Sequence, residues 1–393
     1  MNQETIIGVV GAGAMGAGIA QVAATAGHKV WVYDTNAAAL QRAEKNHEVL
    51  LQKLAQKGRI EDAEAVLKRL HYTDNLNELS NCRLVIEAII ENLEIKKHVF
   101  GALEQQVCDE CILATNTSSL SVTSIASACR LPNRVLGLHF FNPAPLMALV
   151  EVVPAIQTDA ALVTEAKELM QHWGKTPVIA KDTPGFIVNR VARPFYGEAI
   201  RIYEEGIASI ATIDWAMKEL GGFRMGPFEL MDYIGHDVNY VVTETVWQSF
   251  FYDPRYKPSF SQKRLLEAGW LGRKSGRGFY NYAEGAEQPQ PEKDLKIGQG
   301  IVDRILAMLI NEAADALHYN IASAQDLELA MTKGVNYPKG LLAWADELGT
   351  ARVLGLLDSL FDIYHEERYR ASMLLRMAVA KGQKALNEAM GAN

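Results

Sequence analysis

His139 ends the apolar run Val135-Leu-Gly-Leu-His139, and Glu151 sits inside another, Leu149-Val-Glu-Val-Val153. A carboxylate in an apolar strand is expensive unless something pairs with it. A strand-end histidine, taken alone, is more often an ordinary structural residue. Pairing the two answers both oddities, because the carboxylate fixes the imidazole tautomer and stabilises the imidazolium once a proton has been taken up. A histidine so held is the base that alcohol oxidation by hydride transfer requires, since the hydroxyl proton must leave as the hydride departs. Two further polar groups lie near strand ends: Asn116-Thr-Ser118-Ser119, directly after an apolar run, and Asn189. Each reads equally as helix capping or as a ligand to a substrate oxygen.

Hydride transfer needs an acceptor, and the N-terminus carries a fingerprint for one. Gly11-Ala-Gly13-Ala-Met-Gly16 follows an apolar strand and opens an apolar helix. Gly11 permits the tight turn, Gly13 lets a pyrophosphate approach the backbone, and Gly16 lets the helix pack on the strand. The helix N-terminus then offers unpaired N–H groups to phosphates. Asp34 closes the second strand, 18 residues after Gly16, and neither Thr35 nor Asn36 is an arginine. A carboxylate there accepts from ribose hydroxyls and repels a 2′-phosphate, which favours NAD over NADP and FAD. The plainer alternative is a glycine turn with a surface aspartate. Cys108 and Cys111 form a C-x-x-C pair. They fall between a helix end and a strand start, without the helix N-terminus of a redox dithiol or the second pair of a zinc site. No metal is expected.

The elements that must position these residues follow from the apolar pattern. Strands are expected at 6–10, 29–33, 84–88, 112–115, 135–139, 149–153 and 176–179, with helices between most of them, such as 37–57 and 93–107. Alternation of this kind gives an α/β fold, here a Rossmann-type doubly wound, mostly parallel sheet. Asp182-Thr-Pro-Gly185 reads as a hinge, and from Phe186 the pattern turns helical. The helical part repeats itself at an offset of 114 residues. Ile187-Val188-x-Arg190 matches Ile301-Val302-x-Arg304, Glu198-Ala199 matches Glu312-Ala313, and Ile207-Ala-Ser209 matches Ile321-Ala-Ser323. Ala216-Met217, Gly226, Asp232 and Gly235 recur as Ala330-Met331, Gly340, Asp346 and Gly349. Gapless matches at one offset mark a duplicated supersecondary unit. The expected domains are an NAD-binding domain at 1–184, a helical copy at 185–284, a linker at 285–298, and a second, degenerate structural copy at 299–393.

Composition bounds the rest. The 393 residues are 49% hydrophobic and 22% charged with a net charge of −8, which excludes fibrous or disordered classes and gives no electrostatic footprint for nucleic acid. No targeting segment or membrane span is read, and four scattered cysteines (Cys82, Cys108, Cys111, Cys129) do not make a secreted disulfide framework. A cytoplasmic protein is expected.

Taken together, the motifs resemble the L-3-hydroxyacyl-CoA dehydrogenase family of β-oxidation type. The segments that carry the resemblance are Gly11-Ala-Gly-Ala-Met-Gly16, Glu87-Ala-Ile-Ile-Glu91-Asn, Asn116-Thr-Ser-Ser119, His139-Phe-Phe-Asn-Pro143 and Asp182-Thr-Pro-Gly-Phe-Ile-Val-Asn-Arg190. Met225-Gly-Pro-Phe-Glu-Leu230 and Gly278-Phe-Tyr280 add to them. The resemblance implies that His139 is the catalytic base with Glu151 as partner, acting on an acyl-CoA thioester. It implies that Ser118 and Asn189 bond the substrate's C3 oxygen and that Asn142 helps hold nicotinamide and substrate. Glu91, Lys96 and Lys274 match cofactor contacts, and Lys57 matches a coenzyme A contact. Seven residues earlier Leu50 stands where the family often has a CoA-contacting serine. In the second copy Asp303 replaces Asn189 and Thr350 replaces His236, so that copy is expected to have lost the catalytic signs of the first. The resemblance implies that it fills, within one chain, the interface at which single-copy relatives dimerise; monomer and homodimer both stay open. Separate hydratase and thiolase chains are expected beside it. Two other readings compete: a same-fold dehydrogenase of a free sugar acid or small 3-hydroxy acid, and an NAD-binding scaffold without turnover.

Overall fold

The computed structural model describes residues 5–383, 385 and 386; the expected end of the second helical copy, 387–393, lies outside them. The chain divides into two compact units, with the boundary between Phe186 and Ile187.

The first unit is a sheet wrapped by helices. Its elements run β1 (Ile7–Val10), α1 (Ala14–Thr25), β2 (Val30–Tyr33), α2 (Ala37–Gln56), α3 (Ala63–Leu67), β3 (Leu70–Thr73), β4 (Leu84–Glu87) and α4 (Leu93–Gln106). They continue through β5 (Ile112–Thr115), α5 (Val122–Ala126), β6 (Val135–Phe140), β7 (Leu149–Pro154), α6 (Ala160–His172) and β8 (Thr176–Ile179). The strand order is β3-β2-β1-β4-β5-β6-β7-β8. The first six strands are mutually parallel in the Rossmann order, so their carboxyl ends share one rim. Helices cover the faces, which is why β1, β4, β5 and β6 are buried throughout and are apolar apart from Glu87, Thr115 and His139 near their carboxyl ends.

One strand escapes the sequence pattern. Leu70-His-Tyr-Thr73 pairs only with β2, at the sheet edge, and just its first residue is buried. An edge strand with polar residues lacks the apolar run that reveals the others. At the other edge the chain reverses: β7 runs antiparallel to β6, and β8 runs parallel to β7. That reversal sets His139 directly opposite Glu151, and residues so paired point to the same face.

The second unit is helical: α7 (Val188–Val191), α8 (Arg193–Glu204), α9 (Ile210–Trp215), α10 (Pro227–Ile234), α11 (His236–Ser249) and α12 (Phe260–Glu267), then α13 (Leu295–His318), α14 (Ala324–Leu329), α15 (Leu341–Leu348), α16 (Thr350–Tyr364) and α17 (Met373–Ala380). The repeat is physical. α9 and α14, and α10 and α15, begin and end 114 residues apart, and a π-helical turn follows at Ala216–Leu220 and again at Ala330–Gly334. Ser209 caps α9 and Ser323 caps α14. The Asp214 carboxylate accepts from the Phe228 and Glu229 amides at 2.9 Å each, and Glu328 accepts from the equivalent Leu342 and Ala343 amides. A capping acid persists although its length has changed.

The copies meet through a crossed set of ion pairs. Glu198 of the first copy, 1% exposed, accepts from Arg304 Nε (3.0 Å) and Tyr369 Oη (3.0 Å) of the second, with Arg368 beside it. Glu312 of the second copy, fully buried, accepts from Arg255 (3.0 Å) and Tyr256 Oη (2.6 Å) of the first, with Arg190 beside it. The partners correspond at offsets of 113 or 114 residues. A contact in which each copy gives the same groups to the other is the pattern of a two-fold dimer, here closed within one chain.

Candidate active site

At the N-terminal turn, Gly11 adopts φ 106°, and a Cβ there would come within 2.7 Å of the Ala88 carbonyl. At Gly16 a Cβ would lie 1.8 Å from the Gly11 carbonyl, so the helix can begin this close to the strand only with glycine. Around Gly13, by contrast, no atom lies within 4 Å of where its Cβ would stand, leaving the backbone open to a ligand. Asp34 holds the turn: Oδ2 accepts from Ala12 N and Oδ1 from Asn36 N, both at 2.8 Å. A cavity of about 390 Å³ opens alongside, lined by Gly11, Asp34, Thr35, Ile90, Ile95 and Val99 among others. An open glycine turn, an acid at the end of β2 and an apolar cavity together fit a dinucleotide.

The base pair stands three strands away. His139 Nδ1 donates to Glu151 Oε2 at 2.6 Å, with His139 6% exposed and Glu151 fully buried. A carboxylate only accepts, so Nδ1 carries the hydrogen and Nε2 presents its lone pair. Phe141 and Phe186 flank the ring, with centroids at 4.5 and 5.8 Å. Asn142 follows in the β6–β7 connection.

Between these two features lies a cluster that the sequence only partly reveals. Lys96, 1% exposed, donates to Glu87 Oε1 at 2.6 Å and lies 3.4 Å from Glu91. Glu87 also accepts from Thr115 Oγ1 at 2.7 Å. Glu91 Oε1 accepts from Thr117 Oγ1 (2.6 Å), Ser118 N (2.9 Å), Ser118 Oγ (3.3 Å) and both donors of Ser119. Burial alone would raise the Glu91 carboxyl. Lys96, the Thr117 hydroxyl and the Ser118 amide outweigh it and hold Glu91 below the usual carboxylate range. Two acids at the end of β4 thus shape the loop that carries Ser118.

Asn116 and Glu87 gain a role only from the structure. Asn116 Oδ1 accepts from Phe140 N at 2.8 Å, tying the serine loop to the strand of His139. Glu87 is a carboxylate in the apolar run Leu84-Val-Ile-Glu87, the same signal that singles out Glu151. Asp182, read only as part of a hinge, accepts from Val122 N (3.1 Å) and Thr123 N (2.7 Å) and so anchors α5.

The remaining expected residues lie elsewhere. Lys57 caps the carboxyl end of α2 and is exposed, with no ionic partner among the described residues. Leu50, nearly two turns before the helix end, is 47% exposed. Asn189 is on α7 and Lys274 pairs with Asp237 at 2.5 Å; both belong to the second unit. His236 is not the catalytic sign expected of it. It is fully buried, donates through Nε2 to Asp232 Oδ1 at 2.8 Å and stands 3.3 Å from Gln262. Asp232 gathers the Phe279 and Tyr280 amides and the Tyr282 hydroxyl as well, so this network holds the end of the first copy together. All four cysteines are free thiols. Burial pushes Cys82 up to about 12 and Cys129 up to about 11, values of unreactive core thiols.

A dinucleotide turn, a carboxylate-held imidazole and a duplicated helical region define a class of two-unit dehydrogenases. Comparison with known proteins narrows it. The model of the 3-hydroxyacyl-CoA dehydrogenase NAD-binding domain matches residues 6–183, and that of the C-terminal domain matches twice, at 185–282 and 301–392. The chain is 39% identical to an Escherichia coli 3-hydroxyadipyl-CoA dehydrogenase, covering 96% of this chain and 97% of that one. It is 46% identical to a probable 3-hydroxybutyryl-CoA dehydrogenase of Deinococcus radiodurans, covering 70% of this chain and 99% of the relative, which corresponds to a protein with one helical copy. The crystal structure of a 3-hydroxybutyryl-CoA dehydrogenase from Escherichia coli superposes over 97% of this chain and 99% of its own, with a TM-score of 0.92 and 38% identity. The chain belongs to the 3-hydroxyacyl-CoA dehydrogenase family. It is an NAD-dependent oxidoreductase of 3-hydroxyacyl-CoA.

Proposed function

We propose that His139 is the base and Glu151 its orienting partner in oxidation of an (S)-3-hydroxyacyl-CoA to the 3-ketoacyl-CoA. The observation that carries this is the 2.6 Å bond from His139 Nδ1 to Glu151, which leaves Nε2 to accept the C3 hydroxyl proton. The glycine turn and Asp34 hold NAD, whose nicotinamide when bound supplies the hydride acceptor. Ser118 and Asn189 bond the C3 oxygen, and Asn142 contacts nicotinamide and substrate. Glu91 and Lys274 serve the cofactor side. Lys96 serves it through Glu91 and Glu87, because its ammonium is already committed to those two acids. Lys57 offers a cation to coenzyme A phosphate, supported by its exposure and its lack of an ionic partner among the described residues. In the reverse direction His139 returns the proton through the same nitrogen.

The names of the full-length and single-copy relatives support short acyl groups, 3-hydroxybutyryl or the ω-carboxylated 3-hydroxyadipyl. The crossed ion pairs between the copies support a second copy that takes the place of a dimer partner. No helix among the described residues is long and apolar enough to cross a membrane. Free thiols fit a reducing cytosol, where separate hydratase and thiolase chains would act on either side of this step.

The test follows NADH absorbance as the protein meets NAD and a panel of 3-hydroxyacyl-CoAs from butyryl to palmitoyl and adipyl, with free 3-hydroxybutyrate as control. Turnover of thioesters only, fastest with four to six carbons, is expected. Faster oxidation of the free acid would overturn the thioester reading, and silence with NAD still bound would leave a scaffold.

A further inference from the structure

The connection between β6 and β7 runs from Phe141 to Ala148, with His139 before it, Glu151 after it and Asn142 within it. Two contacts hold this loop, one to α1 and one to the segment before β8. In the first, Ala144 and Pro145 lie on α1 at Gly18, where a Cβ would meet Pro145 Cδ at 3.1 Å and Ala144 Cβ at 3.2 Å. In the second, Lys175, just before β8, sends Nζ to the Ala144 carbonyl at 2.5 Å and the Met147 carbonyl at 2.8 Å. The adjoining backbone continues the seam, with Thr176 N donating to Ala148 O at 2.8 Å.

Lys175 is an odd choice for a structural clamp. It is half-buried and pairs with no carboxylate among the described residues, so a cation is withdrawn from water for two neutral carbonyls. Two neutral carbonyls offset only part of the cost of withdrawing such a charge, so the clamp is not explained by stability alone. Burial accordingly pushes its ammonium down to about 8.

We propose that Lys175 is a positioning residue for hydride transfer: it presses the Phe141–Ala148 loop onto the glycine-bearing face of α1 and so sets Asn142 and His139 against the dinucleotide turn that α1 begins. The inference rests on the His139 mechanism above. It links the cofactor helix to the base through one loop, held between Gly18 and Lys175. Loss of the ammonium lets Ala144 lift from Gly18, and the reacting groups lose alignment although each remains present.

The experiment compares full-length wild type, Lys175→Met, Lys175→Arg and Gly18→Ala with NAD and (S)-3-hydroxybutyryl-CoA. It reads kcat, NAD affinity by titration calorimetry, thermal midpoint, and the isotope effect of deuterium at C3. Lys175→Met should lose roughly 10–100-fold in kcat, the scale of an ångström of misalignment. Its NAD affinity should stay within about threefold and its isotope effect should rise, while Lys175→Arg recovers most of the rate. Gly18→Ala, which crowds the loop at Ala144 and Pro145, should show the same kcat signature; it decides the matter if Lys175→Met does not fold. A Met variant with wild-type kcat overturns the proposal. So does a loss of rate that follows the thermal midpoint and NAD affinity together and is no better in the Arg variant. If wild type itself does not turn over, the mechanism it rests on has failed instead.

Discussion

In the sheet unit the buried acids Glu87 and Glu151 and the partly solvated Glu91 each face a group at the carboxyl rim of a strand, whereas in the helical unit Glu198 and Glu312 face arginines supplied by the opposite repeat. Both units withdraw charge from water at a cost of several kcal/mol per ion before compensation. The compensation differs. Around Glu198 and Glu312 every neighbour is an internal donor, so the network closes on itself. Around Glu151 and Glu91 it ends on His139 and Ser118, groups at the carboxyl ends of neighbouring strands. A closed network specifies which surfaces meet, and an open one holds a reactive group in place for something that arrives later.

This difference can be broken by substitution. His139→Gln should lose about 10²–10⁴-fold in kcat, with NAD affinity and unfolding midpoint nearly unmoved; near-normal turnover would sink the assignment of the base. Glu312→Ala takes the carboxylate from Arg190 and leaves Arg255 only Asp315 and Asp253, and should cost up to about 3–5 kcal/mol in chemical denaturation, while kcat per folded molecule holds. A drop in kcat without a drop in stability would mean that the helical network is not closed after all. Glu151→Gln falls between: the amide can donate to Nδ1, drive the ring proton to Nε2 and remove the acceptor there. A loss of roughly 10²-fold in kcat is expected, and retention of more than half the rate would show that the carboxylate is dispensable.

The smallest effect concerns Glu91. Its folded carboxyl is held below the usual range, so its contribution to stability is complete above the unfolded value and is lost as pH falls through the folded one. Glu91→Gln should therefore flatten the acid limb of the stability curve below the ordinary carboxylate range, by less than about 1 kcal/mol because the side chain is partly solvated. An unchanged acid limb would mean that Ser118 and Thr117 are ordered without it.

The open network is the more legible of the two. His139 and Glu151 declare themselves because polar residues in apolar strands break a period-2 or continuous pattern, and β6 and β7 are neighbours in sequence. The same rule applied to Leu84-Val-Ile-Glu87 finds Glu87, which is easily passed over because its partner Lys96 lies in a helix of ordinary amphipathic appearance. Asn116 is invisible for another reason: its bond to Phe140 N depends on how β5 and β6 align, and no spacing encodes that. The strand at Leu70–Thr73 is hidden by its polar edge. In the helical unit, the shared Arg190/Arg304 and Glu198/Glu312 are on view as repeat matches. That each glutamate reaches across to the other copy's arginine follows from packing alone. His236 shows the opposite error, in which a difference between copies reads as chemistry when the histidine only closes the buried Asp232 cluster.

Duplication also changes the order of the reaction by which the two-fold contact forms. Between separate chains such a contact is second order, and dilution undoes it. Here residues 286–294, without helix or strand, join the first copy to α13, and a short tether gives its end a local concentration on the order of millimolar. The Glu198 and Glu312 pairs then close in a unimolecular step whose equilibrium ignores how much protein is in the cell, and the first helical copy carries its counterpart with it at any abundance.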